Sequence, residues 1–114
     1  MMLLLAVNQT AAARPRNAAN LEDMEYDEAR AIILGYGWRP FPGECQGAVD
    51  RSTCALYPEL GYCQLTHRGY CTMTFAKDNR CLILTTVESP PGQGGYTVVV
   101  DVFFRRRPCS NDPH

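Results

Sequence analysis

The clearest hydrophobic pattern in the chain is the alternation in YTVVVDVFF, residues 96–104. Because successive side chains of a strand point to opposite faces, this segment is predicted to be a β-strand. One face carries Tyr96, Val98, Val100, Val102 and Phe104, and the other carries Thr97, Val99, Asp101 and Phe103. We expect the face with Val98, Val100 and Val102 to pack against a helix, since one face of the strand has to be buried.

Two earlier segments also have a β-type pattern. Residues 70–75 alternate, and residues 81–87, CLILTTV, form a second strand-like run. Residues 77–80 are typical of a tight turn, and the proline- and glycine-rich residues 90–95 are typical of a loop. Three strands in series with short connections predict an antiparallel meander.

A helical period begins near Met24. The apolar positions on one face are Tyr26, Ala29, Ile32, Ile33 and Tyr36. The acidic residues of this region, which favour the positive end of a helix dipole, are Glu22, Asp23, Glu25, Asp27 and Glu28. They predict the start of a helix of about 10–12 residues. Asp27 is spaced to pair with Arg30, and Gly35 is predicted to take the left-handed position past the helix end.

These elements predict an α+β fold, in which one N-terminal helix packs on a three-stranded antiparallel meander beside a disulfide-stapled loop region. Trp38 is expected in the core, in a segment that Pro40 and Pro42 keep extended. Residues 43–67 are rich in turn-forming residues, so we expect neither a helix nor a long strand there.

Six cysteines indicate how that loop region is held: Cys45, Cys54, Cys63, Cys71, Cys81 and Cys109. No two of them are close enough in sequence for the paired ligands of a structural zinc site or for a C-x-x-C redox motif. Disulfide bonds in an oxidising compartment are therefore favoured, and neither a metal nor a cofactor is predicted. Fifteen pairings are possible. Sequential pairing would close two short loops and leave the last two cysteines to pair with each other.

The N-terminal residues resemble the end of a secretory signal peptide. The apolar run Met1–Val7 is followed by Ala11 and Ala13, the small residues that signal peptidase accepts, so the mature chain would begin at Arg14. A membrane-spanning helix is not expected, because it needs about 20 apolar residues. The predicted organisation is a signal-peptide remnant at 1–13, a flexible lead-in at 14–23, a single α+β domain at 24–109 and a flexible tail at 110–114. The protein is predicted to be secreted or periplasmic.

The net charge of −1 argues against nucleic-acid binding. The basic run Arg105–Arg107 follows the last strand and is interpreted as keeping a strand edge soluble. The alternative interpretation is contact of this run with an anionic surface, such as phospholipid headgroups. We expect a monomer.

Several short motifs, taken in order, resemble one group of proteins. They are YDEAR at 26–30, Gly35, GWRP at 37–40, Cys45 and Cys54, YPE at 57–59, and Cys63 and Cys71 before an aromatic strand. This order is similar to that of small, uncharacterised, exported bacterial proteins with a helix, GW-x-P, a four-cysteine region and a terminal β-hairpin. The resemblance covers about residues 26–88 and implies export without implying an activity. It also implies that Cys81–Cys109 is an added cross-link.

Two function classes remain open. The first is a non-catalytic binding module, inhibitor- or immunity-like, that recognises a protein or a cell-envelope component through its stapled loops. Its candidate contact residues are Tyr57, Tyr62, His67, Arg68 and Tyr70, and tyrosine and arginine are enriched at binding hot spots. The alternative is a small hydrolase-like enzyme that uses His67 with Asp50 or Glu59 for acid–base chemistry.

Overall fold

A computed structural model of the chain describes residues 21–47, 51–64, 69–89 and 96–110. Its elements are helix α1 (Tyr26–Gly35), strands β1 (Arg39–Pro40) and β2 (Gln46–Gly47), helix α2 (Arg51–Leu56), and strands β3 (Leu60–Cys63), β4 (Cys71–Lys77), β5 (Arg80–Ser89) and β6 (Tyr96–Arg105). The predicted leader at 1–13, the loop at 90–95 and most of the predicted tail lie outside the described residues.

The strands form one six-stranded sheet in the order β2–β3–β4–β5–β6, and β1 pairs with the far end of β4. Strands β4, β5 and β6 pair antiparallel, as a meander does, but β2 and β3 are parallel to each other. The predicted three-stranded antiparallel meander with one helix is therefore wrong, because the sheet is mixed and has six strands.

Two of the extra strands, β2 and β3, come from residues 43–67, where neither a helix nor a long strand was expected. Strand β3 pairs with the free side of β4, and β2 then pairs with β3. Helix α2, at Arg51–Leu56, lies between them in sequence. Segments this short carry no periodic signal of their own, since they become regular by pairing with a strand that is already formed.

One face of the sheet holds the core. Helix α1 buries Tyr26, Ala29 and Ile33. The buried sheet residues of the same cluster are Leu60, Cys63, Met73, Phe75, Leu82, Leu84 and Val99. Trp38 and Ile32 are partly buried and pack against this cluster. Helix and sheet thus bury each other's apolar faces, although the sheet is not the one that was predicted.

A β-bulge in β6 changes which valines are buried. Thr86 pairs with Val99 and Thr85 pairs with Asp101, so Val100 is an extra residue without a partner on β5. Val99 consequently lies on the core face and is fully buried, whereas Val100 is 38% exposed. The prediction that Val98 and Val100 face the core is wrong, because Val99 takes the core face before the bulge and strict alternation holds only where no residue is inserted.

The ends of α1 depend on local backbone and side-chain groups. The Glu25 carboxylate caps the N-terminus by accepting from the Glu28 N–H at 3.3 Å. Gly35 is the last helical residue, and the left-handed backbone is found at Gly37, with φ 94°. The left-handed glycine therefore lies two residues later than predicted, and Gly35 itself is still helical.

In the described part of the chain, no helix has both the length and the apolar composition that a membrane crossing requires.

Candidate functional site

A cluster of charged and aromatic side chains joins α1 to the turn before β3. Glu59 lies in that turn, and 0% of its surface is exposed. Arg30 of α1 donates two hydrogen bonds to the Glu59 carboxylate, from Nε to Oε2 at 2.6 Å and from Nη2 to Oε1 at 3.1 Å. The Tyr26 hydroxyl, one helical turn earlier, donates to Oε2 at 2.5 Å. The buried charge therefore has both a counter-charge and hydrogen bonds on its two oxygens, without which burial would be costly.

Tyr57 extends this cluster toward solvent. Its hydroxyl donates to Asp27 Oδ1 at 2.7 Å. The ring packs edge-on against the Tyr26 ring at a centroid distance of 5.6 Å, and the Arg30 guanidinium carbon lies 5.4 Å from the Tyr57 centroid. We call these residues the Glu59 cluster: Tyr26, Asp27, Arg30, Tyr57 and Glu59. The predicted Asp27–Arg30 pair is replaced by contacts that reach across the fold.

Both tyrosines of the cluster hold their protons more tightly than usual. Burial, followed by the hydrogen bond to Glu59, raises the pKa of Tyr26 well above its ordinary value. The hydrogen bond to Asp27, followed by burial, raises the pKa of Tyr57 to about 12. The hydrogen bond to Glu59 also raises the pKa of Arg30. At neutral pH both phenols are therefore donors and Arg30 is charged, as the hydrogen-bond geometry requires.

The turn that carries Glu59 is held by backbone contacts. Gly43 N–H donates to Pro58 C=O at 2.9 Å, and Thr74 N–H donates to Glu59 C=O at 3.1 Å. A Cβ atom on Gly43 would lie 2.0 Å from the Leu60 carbonyl oxygen. Only glycine permits this approach of two backbones, so the position of Glu59 depends on a residue sixteen places earlier in the sequence.

This arrangement makes Glu59 a structural group. Its carboxylate has no exposed surface, and both of its oxygens are engaged. It is not placed to exchange a proton with a substrate. His67 and Asp50 lie outside the described residues, so the hydrolase hypothesis stays a prediction that these two residues would have to carry.

The predicted contact residues have different surroundings. Tyr57 belongs to the Glu59 cluster, and its hydroxyl is bonded. Tyr62 on β3 is 46% exposed, whereas Tyr70 is partly buried. His67 and Arg68 lie outside the described residues. Of the tyrosines predicted as contacts, Tyr62 is thus the one with the most open ring.

Sequence reasoning missed Leu56. This side chain ends α2 and is 71% exposed, more than any other large apolar residue among those described. Its signal in the sequence is weak, because Leu56 reads as an ordinary core residue unless the short helix α2 is known.

All six cysteines are paired, which confirms the prediction of disulfide bonds. The bonds are Cys45–Cys54, Cys63–Cys71 and Cys81–Cys109. The first ties α2 to the segment before β2, the second crosslinks the neighbouring strands β3 and β4, and the third ties the segment after β6 to β5. We call residues 45–71 the stapled region. Its first disulfide bond lies beside β2, and its second joins β3 to β4.

Within the described ranges, no group of three or more His, Cys, Asp or Glu side chains is placed to hold a metal ion.

A shallow cleft of about 440 Å³ lies where the β4–β5 turn meets the segment after β6. Two of the basic side chains that line it are engaged within the protein. Lys77 donates to the Tyr36 carbonyl oxygen at 2.6 Å, and Arg80 pairs with Asp78 at 3.3 Å. Lys77 and Arg80 hold the turn in place. Because both are bonded within the protein, they do not form a site for an anionic ligand in the cleft.

Comparisons of the chain with protein-family models, curated proteins and solved structures gave no significant match.

Proposed function

We propose that the chain is a non-catalytic, disulfide-stabilised binding module that works in an oxidising compartment. Its stapled region recognises a protein or a cell-envelope component, in the manner of an inhibitor or immunity-type partner. The three disulfide bonds support secretion or export to the periplasm, since such bonds form and persist in oxidising compartments.

The observation that carries this proposal is the exposure of Leu56 and Tyr62 on a cross-linked segment. Leu56 is 71% exposed and Tyr62 is 46% exposed. Their elements are tied by Cys45–Cys54 and Cys63–Cys71. A surface held in one conformation before binding loses less conformational entropy when it binds, so contacts made there contribute more to affinity.

The Glu59 cluster supports this reading by anchoring the turn between Leu56 and Tyr62. The buried carboxylate is bonded to α1 through Arg30 and Tyr26. A turn tied to the core helix in this way keeps both exposed side chains at fixed positions on the surface, as a binding site on loops requires.

Capture from an envelope fraction, followed by titration with the purified partner, tests the proposal. Tyr62→Ala together with Leu56→Ser should weaken binding by about 30-fold or more, the loss expected for a hot spot. Tyr36→Ala is the matched control, because Tyr36 is a comparably exposed tyrosine that lies outside the stapled region. A partner that binds the double variant as tightly as the parent would place the contact surface elsewhere and refute this assignment.

A further inference from the structure

The outer side of strand β6 is only half covered. Strand β6 is the last strand of the sheet and pairs with β5 on its inner side. On the outer side, Asp23 N–H donates to Val99 C=O at 2.7 Å, and Val99 N–H donates to Met24 C=O at 2.9 Å. Beyond Val99, no backbone group in the described part of the chain pairs with this side of β6. We call the outer side of residues 100–105 the open edge.

The open edge is unusually apolar. Phe103 is 54% exposed, Phe104 41% and Val100 38%. An uncovered apolar strand edge is a template for pairing with another strand, and natural sheets usually protect such edges with charges or proline. The charged residues within this stretch are Asp101 and Arg105. The positions of these two charges determine which partner strand is complementary to the open edge.

The open edge is complementary to itself. When a second copy is laid antiparallel with Phe103 opposite Phe103, Asp101 of each copy lies opposite Arg105 of the other. Val102 then lies opposite Phe104. Asp101, Phe103 and Arg105 share one face of β6, as their partners Thr85, Ile83 and Cys81 on β5 show. The two charge pairs therefore flank the two phenylalanine rings on one continuous face, where directly opposed side chains interact.

The backbone also fits this register. Val99 directs its N–H and C=O groups outward. Because alternate residues face the same side, and because the bulge adds one residue at Val100, Val102 and Phe104 direct their backbone groups outward as well. Val102 of one copy meets Phe104 of the other, so each outward group faces an outward group of the partner strand. A shift by two residues keeps the backbone pairing but sets either Asp101 or Arg105 opposite Phe103.

Charges beyond the strand support the same register. With Phe103 opposite Phe103, Arg106 and Arg107 of the second copy lie level with Val100 and Val99 of the first. The acidic segment 22–25, with Glu22, Asp23 and Glu25, is bonded to β6 at Val99. Opposite charges therefore meet at both ends of the interface.

Arg105 itself has a buried Nε atom without a hydrogen-bond partner among the described residues, and no described carboxylate forms an ion pair with it.

We propose that two copies of this chain associate through their open edges, antiparallel about a two-fold axis at Phe103, and join their sheets into one. The occupant of the edge is a second copy because the same short segment supplies both the acid and the base, as a two-fold interface requires. The inference departs from the expectation of a monomer and is independent of the proposed function.

A charge-exchange experiment tests the register directly. Sedimentation velocity of the oxidised protein should show a dimer that forms with increasing concentration and weakens with added salt. Asp101→Arg alone and Arg105→Asp alone each oppose like charges twice, so each should weaken self-association by more than about 100-fold. An equimolar mixture of the two variants restores both opposite-charge pairs, and it should form a heterodimer with an affinity near that of the parent.

Glu44→Arg is the control, because Glu44 is an exposed acid near β2 at the opposite side of the sheet, and its reversal should leave the dimer unchanged. Thermal melting of each variant separates loss of association from loss of folding, and Asp101→Arg alters an exposed side chain even if Arg105→Asp does not fold. A parent protein that stays monomeric at every concentration overturns the proposal. The open edge would then have to be covered by residues 1–20 or by a different protein. A dimer that survives Asp101→Arg overturns it as well.

Discussion

At the scale of single residues, the fold depends on one buried carboxylate. Glu59 is held by Arg30 and Tyr26, and the desolvation of its charge is offset only while these bonds exist. The residues of the Glu59 cluster belong to YDEAR and YPE, two motifs that lie far apart in the sequence. Their common role is to lock the turn before β3 onto α1.

Arg30→Met should destabilise the protein by about 3–5 kcal/mol, because it leaves the Glu59 carboxylate buried without a counter-charge. Urea unfolding of the oxidised protein measures the change. Glu59→Leu added to Arg30→Met should recover much of the loss, since the uncompensated charge is then gone. Arg51→Met, at an exposed arginine, is the control and should leave stability unchanged. An Arg30→Met variant as stable as the parent would show that the Arg30–Glu59 pair does not hold the turn in place.

The raised pKa of Tyr57 predicts a dependence of stability on alkaline pH. Its ordinary value is 10.0, and in the folded protein the pKa is raised to about 12. The folded state therefore keeps the proton to higher pH than the unfolded chain does. This stabilisation is complete below about pH 10 and is lost as the pH rises through about 12.

The stability difference between the parent and Tyr57→Phe should consequently shrink over that interval. Denaturant unfolding at a series of alkaline pH values checks this, with Tyr36→Phe at an exposed tyrosine as the control. A stability difference that stays constant across the interval would show that the Tyr57–Asp27 hydrogen bond does not raise the pKa of Tyr57.

At the scale of elements, the bulge in β6 is the feature that alternation could not predict. It places Val99 in the core and Val100 at the surface, and it gives the open edge its register. Bulges bend a strand locally and commonly lie near sheet edges. Here the bulge lies just after the point where residues 23–25 stop covering β6.

Val99→Asp should cost several kcal/mol, because it buries an unpaired carboxylate. Val100→Asp should cost about 1 kcal/mol or less, the range of strand propensity at a partly exposed position. Thermal unfolding at a protein concentration low enough to avoid association compares the two variants. Equal destabilisation by both would mean that the bulge is absent and that β6 alternates strictly.

At the scale of the whole molecule, cross-links connect segments that the core alone holds weakly. Two bonds close short loops, with sequence separations of 9 and 8 residues, while Cys81–Cys109 spans 28. In the chain-entropy account, a longer closed loop restricts the unfolded state more. The third bond, which the resemblance marked as an addition, is therefore expected to be the most stabilising one.

Replacing Cys81 and Cys109 together by Ala should lower stability by about 3.5 kcal/mol, against about 2.5 kcal/mol for the Cys63 and Cys71 pair. Urea unfolding of each double variant measures the order. Alkylation followed by mass spectrometry is the control and should detect no reactive thiol in the untreated parent. A larger loss for the shorter loop would show that native packing at Cys63, and not loop entropy, dominates.

The elements with local signals could be predicted from the sequence. Helix α1 follows from its period and its acidic first turn, and β4, β5 and β6 follow from alternation and their turns. The disulfide character of the cysteines follows from their even number and the absence of close pairs. Each of these signals lies within a few residues, where backbone geometry couples neighbouring side chains directly.

The features that join distant parts of the chain depend on tertiary contacts and could not be predicted. The burial of Glu59 requires Arg30, twenty-nine residues away, and strands β2 and β3 exist because β4 offers an unpaired side. The face of β6 that meets the core depends on one inserted residue, which changes the parity of every position after it. Such choices are made by hydrogen bonding and desolvation across the fold, and residues distant in sequence leave no periodic trace of them.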